Sequence, residues 1–153
     1  MDLPFIKKKK HFFTVDQEKR IVEAVRDAER RTSGEVRVFV ESHCKFMDPI
    51  DRATEIFFNL KMEKTDDRNA VLVYIAIKDR QLALFGDEGI HRKVGTAFWA
   101  KEVELMIAKF NGDDYAEGIS SCIRDIGDSL HEHFPYDKDT DKNELPDDIV
   151  FGK

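Results

Sequence analysis

The order of hydrophobic patterns along the chain predicts an α/β fold, with a small mixed sheet covered by helices on both faces. Two observations carry this expectation. Three segments have strand character, one strictly alternating and one continuously apolar, and helical periodicities lie before, between and after them. A chain of 153 residues with 41% hydrophobic residues fits one such domain with a core of its own.

The elements follow in order. Thr14 and Gln17 form a capping-box pattern, and Ile21, Val22, Val25 and Ala28 recur behind it at helical spacing up to Gly34. Glu35 to Glu41 alternates and is rich in β-branched residues, which predicts a strand with Val36, Val38 and Val40 on one face. Asp48-Pro49 opens a second helix with the stripe Ala53, Ile56, Phe57 and Leu60, proline being well placed in a first turn. Ala70 to Ile77 is a continuous apolar run and reads as a central strand covered on both faces. Lys78-Asp79-Arg80 turns into Gln81 to Phe85, a hairpin partner. A helical turn around Ile90 to Val94 follows. Next comes a helix capped by Thr96 with Trp99, Val103, Met106, Ile107 and Phe110 on its apolar side. Asn111-Gly112 ends it, and Asp113 or Asp114 caps a last helix with Ile119, Ile123, Ile126 and Leu130 as its stripe. The chain therefore divides into a basic arm (1–13), a folded domain (14–134) and an acidic, extended tail (135–153).

Charge narrows the function. A net charge of −6 opposes nucleic acid as the main partner, because phosphate binding needs a basic face. Cys44 and Cys122 stand far apart with no zinc-ligand spacing, and read as buried free thiols in a reducing compartment. The lysines 7–10 are not followed by an apolar run, and no stretch approaches the roughly 18 apolar residues of a membrane span. These features predict a cytoplasmic monomer without an integral membrane segment. His131 and His133, two residues apart, do not share a helical face, so capping or solvent exposure is expected rather than metal ligation. In the tail, Asp137, Asp139, Asp141 and Asp148 partly match a calcium loop, but Lys142 stands where glycine is needed and Pro146 intrudes.

Topology focuses the acids. Strands 34–41 and 70–77 are joined through a helix and should be parallel, and the hairpin brings the end of strand 81–85 back to their starting edge. Ser33-Gly34-Glu35, Asp66-Asp67-Arg68-Asn69 and Gly86-Asp87-Glu88-Gly89 should meet there, gathering Glu35, Asp66, Asp67, Asp87 and Glu88. Oxygen-rich clusters suit calcium or magnesium, and glycines 34, 86 and 89 would admit carbonyls to an ion or allow positive φ. Arg68 would be a counter-ion for the cluster or a receiver of a phosphate oxygen.

The motifs Thr32-Ser33-Gly34-Glu35-Val36-Arg37-Val38, Asp67-Arg68-Asn69-Ala70-Val71-Leu72-Val73, Phe85-Gly86-Asp87-Glu88-Gly89-Ile90 and Phe98-Trp99 resemble those of the TPM domain family over roughly residues 12–134. That family includes thylakoid-lumen and photosystem II repair proteins and many bacterial proteins. The resemblance implies a three-layer, Rossmann-like α/β/α sandwich and an acidic divalent-ion site, carried first by Asp67 and Asp87, then by Asp66, Glu88 and Glu35. It also implies either an accessory role, with a protein partner, or a metal-dependent acid phosphatase acting on phosphomonoesters. In the phosphatase case Asp67 and Asp87 would hold the metal and Arg68 would help to neutralise charge.

Overall fold

The computed structural model describes residues 12–136 and 149–152. Its elements run α1 (Val15–Glu29), β1 (Glu35–Glu41), α2 (Pro49–Asn59), β2 (Ala70–Ala76), β3 (Gln81–Gly86), α3 (Glu88–Val94), α4 (Thr96–Asn111), α5 (Tyr115–His133) and β4 (Val150–Phe151). The strands form one mixed sheet in the order β3-β2-β1-β4. The α/β architecture and its helical order match the expectation from sequence. Most of the basic arm and the tail's calcium-loop pattern at 137–148 lie outside the described residues.

Local chemistry explains the helix boundaries. The Thr14 hydroxyl accepts from the Gln17 amide at 3.1 Å and the Gln17 side chain accepts from the Thr14 amide at 2.9 Å, so α1 opens on a complete capping box. Pro49 sits at the first turn of α2, where the N–H it lacks has no intrahelical acceptor. Gly95, with φ of 79°, occupies the cap position between α3 and α4, and Thr96 is the first residue of α4 rather than its cap.

Alternation along the strands splits the core into two layers. Val36, Val38 and Val40 of β1, Val71, Val73 and Ile75 of β2, and Leu82 and Leu84 of β3 face α1, α3, α4 and α5. There they meet Ile21, Val25, Ile90, Trp99, Met106, Ile119, Ile123 and Leu130. The opposite side chains, Phe39, Leu72, Tyr74 and Ala83, pack against Ala53, Ile56 and Phe57 of α2. Every residue of β2 is buried, as its unbroken apolar run requires. Each fully buried isoleucine or leucine contributes about 1.5–3 kcal/mol, so both layers matter to the fold.

Two further expectations differ from the structure. Ile107 is 43% exposed, and Glu102 takes a buried place on α4 instead. The last residues, read as an extended tail, supply β4: Val150 and Phe151 lie parallel to Phe39 and Val40 of β1, and the Gly152 amide donates to the Val40 carbonyl at 2.7 Å. A strand of two residues is too short to leave a period in the sequence. Among the described residues, no helix is long and apolar enough to cross a membrane.

Candidate functional site

The three polar segments meet at the starting edge of β1 and β2. Parallel register sets Glu35 beside Ala70, and the antiparallel hairpin sets Gly86 beside Val71. Backbone bonds tie the segments together: Glu35 N–H donates to Asn69 O at 3.4 Å, Asp87 N–H to Ala70 O at 2.9 Å, and Gly89 N–H to Arg68 O at 2.8 Å. A Cβ on Gly89 would lie 2.1 Å from the Asp67 carbonyl oxygen. Gly89 is thus required by close approach, and neither it nor Gly34 or Gly86 adopts the positive φ entertained from sequence.

The five carboxylates occupy different environments. Asp87 is 2% exposed and caps α3. Its Oδ2 accepts from Arg68 Nε at 2.6 Å, and its Oδ1 accepts from Arg68 Nη2 and from the Glu88 amide, both at 2.8 Å. This fork-on-fork pairing, with Arg68 held at φ of 50°, makes Arg68 the dedicated counter-ion of Asp87. The hydrogen bond to Asp87 also holds the guanidinium pKa above its ordinary value. Glu88 is exposed and lies 3.4 Å from Arg68 Nη1 and 3.8 Å from Arg92 Nη2. Asp66 and Asp67 are exposed, and Glu35 is buried at the start of β1.

Asp67 belongs to a separate polar group. Ser33 Oγ donates to Asp67 Oδ2 at 3.5 Å and accepts from Asn69 Nδ2 at 3.1 Å. Asn69 is 1% exposed, and its Oδ1 is buried with no hydrogen-bond partner among the described residues. A buried carbonyl oxygen without a donor costs about 1–3 kcal/mol, so its persistence beside a carboxylate needs an explanation. Asn69 sits inside the Asp66-Asp67-Arg68-Asn69 segment, where a neutral amide stands out less than the acids beside it. Among the described residues, no group of three or more His, Cys, Asp or Glu is arranged to hold a metal ion. The acids converge on one edge without forming one close carboxylate cage.

The remaining candidates lie elsewhere in the fold. His131 Nδ1 lies 2.8 Å from the Arg31 carbonyl oxygen, and His133 Nε2 lies 3.9 Å from Glu132. Cys44 and Cys122 are both free; Cys122 is buried, whereas Cys44 is only partly so. Trp99 anchors the core over Gly86, where a Cβ would meet its ring at 2.2 Å, and its Nε1 donates to His91 Nδ1 at 3.0 Å.

A mixed α/β sheet whose Ser-Gly-Glu, Asp-Arg-Asn and Gly-Asp-Glu-Gly segments converge on one edge defines the class of this domain. The chain belongs to the TPM domain family, whose sequence profile matches residues 6–129. It is similar to the BA42 protein of the psychrophilic bacterium Bizionia argentinensis, solved by NMR. The two share 39% identity and a TM-score of 0.85, over 95% of this chain and 99% of that one. The N-terminal domain of the cg2496 protein of Corynebacterium glutamicum shares the fold at 14% identity and a TM-score of 0.62, over 78% of this chain and 74% of that chain. No curated protein matches the chain.

Proposed function

We propose that this TPM domain binds a divalent cation, calcium or magnesium, at the edge formed by Ser33, Asp67 and Asn69, and that it acts as an accessory or binding module. The observation that carries the reading is the buried, unpartnered Oδ1 of Asn69 in the same polar group as the exposed carboxylate of Asp67. Calcium takes neutral amide and hydroxyl oxygens together with carboxylates, and magnesium uses one or two carboxylates with several waters. Asp67 supplies the charge in this arrangement, and Asp66 and Glu88 add exposed acid nearby. Asp87 contributes by engaging Arg68, both its oxygens accepting from the guanidinium. Glu35 is buried at the same edge, at the start of β1.

The geometry favours binding over phosphomonoester hydrolysis. Arg68, the cation that a phosphatase would turn toward a phosphate, gives two of its donors to Asp87. The test is thermal unfolding with added calcium or magnesium. At ten times the dissociation constant, ligand should raise Tm by about 3 °C. Asp67→Asn should abolish the rise, while Asp16→Asn, an exposed acid on α1, should leave it intact. Equal rises in both variants, or none in the native chain at millimolar concentrations of either ion, would reject the site.

A further inference from the structure

We propose that the outer edge of β3 is a docking slot for an extended segment of a partner protein, apolar in character and carrying one basic residue. β3 ends the sheet, with β2 as its neighbour on one side only among the described strands. The Asp87 amide bonds to Ala70, which fixes the pairing: Phe85 and Ala83 exchange hydrogen bonds with Leu72 and Tyr74. Leu82, Leu84 and Gly86 therefore turn their N–H and C=O groups outward, the template that strand addition uses.

A cavity of about 500 Å³ lies along this edge. Leu84 and Phe85 both line it, although adjacent residues of a strand point to opposite faces. The cavity therefore wraps the edge itself, between α2 on one side and α3 and α4 on the other. Phe85 packs against Phe57 and Phe58, with ring centroids 4.6 and 6.1 Å away, while Trp99 forms the wall over Gly86. Ile50 and Phe58 are 47% and 46% exposed at the rim, large apolar side chains left uncovered where the slot opens. They stand eight residues apart on α2, about 12 Å along its axis, which is the length of three to four extended residues.

Charge sets the chemistry of the occupant. Arg68, Asp87, Glu88 and His91 line the slot at the end where β3 stops; Asp87 engages Arg68, and Glu88 lies 3.4 Å from the same guanidinium. Glu88 keeps a half-exposed carboxylate there, and Asp66 and Asp67 stand exposed on the same edge of the sheet. An apolar segment with lysine or arginine at that end complements the slot in shape and charge. A second copy of this chain would instead bring its own acids to it.

The full-length chain is screened against eight-residue synthetic peptides that contain one lysine and are otherwise drawn from valine, isoleucine, leucine, threonine and tyrosine. The strongest peptide is then titrated into the 15N-labelled chain. Saturable shifts should fall on residues 82–88 and the Trp99 indole, and amide exchange of Leu84 and Gly86 should slow at least tenfold. Phe58→Asp, a change at a half-exposed position, should weaken the peptide at least tenfold while leaving calcium or magnesium responses unchanged. Replacing the peptide's lysine by aspartate should weaken it further than replacing it by threonine. The proposal is overturned if no peptide prefers the native chain to Phe58→Asp, or if bound peptide leaves Leu84 and Gly86 exchange unchanged. It is also overturned if those amides are already protected in a concentration-dependent dimer.

Discussion

The two ends of the sheet each bury a carboxylate against an arginine, yet they leave different remainders. At the finishing edge, Glu41 is 5% exposed, accepts from Arg52 Nε and Nη2 at 2.9 and 3.0 Å, and takes the Tyr74 hydroxyl as well. Burial and the hydrogen bond to Glu41 keep Tyr74 protonated far above the usual phenol range. Asp79 nearby is matched by His43 at 2.7 Å and the Cys44 amide at 2.8 Å, which hold its pKa below the ordinary carboxylate value. At the starting edge, Arg68 satisfies Asp87 in the same manner, but Asp67, Asp66 and the Asn69 carbonyl are left over. The number of acids at an edge therefore says little about function. What matters is which oxygens remain after internal pairing.

Breaking the matched edge gives the largest expected effect. Arg52→Met leaves the buried Glu41 carboxylate with only Tyr74, and should lower unfolding free energy by about 3 kcal/mol, read from urea denaturation at pH 7. A loss below about 0.5 kcal/mol would show that the finishing edge is no more than an ordinary surface pair.

Another buried acid differs from both pairs, because no arginine among the described residues forms an ion pair with it. Glu102 is 4% exposed on α4, with Oε1 unpartnered among the described residues. Burial first, then its hydrogen bond to Asp125, pushes its pKa up to about 7. Because the folded value lies above the unfolded one, its contribution is full below about pH 4.5 and is lost as pH rises toward 7. Glu102→Gln should remove a decline on the order of 2 kcal/mol between pH 5 and 8. Parallel pH profiles for native and variant chains would show that Glu102 ionises freely.

Much of this was legible in the sequence because strand order is a consequence of local pattern. The alternation of Val36, Val38 and Val40, the unbroken run from Ala70, and the short turn at Lys78 to Arg80 together force three polar segments onto one edge. Pairing inside that edge was not legible. Nothing in the spacing of Arg68 and Asp87, nineteen residues apart, says that they form a fork rather than a site. Glu102 left a faint trace, lying three residues after Trp99 and four before Met106 on the buried stripe, but a glutamate there reads as a solvated face. Ile107 follows Val103 by four residues, a spacing that predicts the apolar side of α4, yet its neighbours leave it 43% exposed.

In the proposed function, oxygens left unpaired at the starting edge receive a cation. The side-chain amide of Asn69 is the reporter, since Nδ2 is fixed by Ser33 while Oδ1 has no donor among the described residues. Titration of the 15N-labelled chain with calcium, repeated with magnesium, should move the Asn69 side-chain amide and the Ser33 and Asp67 backbone amides together, with one saturation constant that Asp67→Asn abolishes. Shifts spread over exposed acids such as Asp16 and Asp128, with Asn69 unmoved, would contradict it.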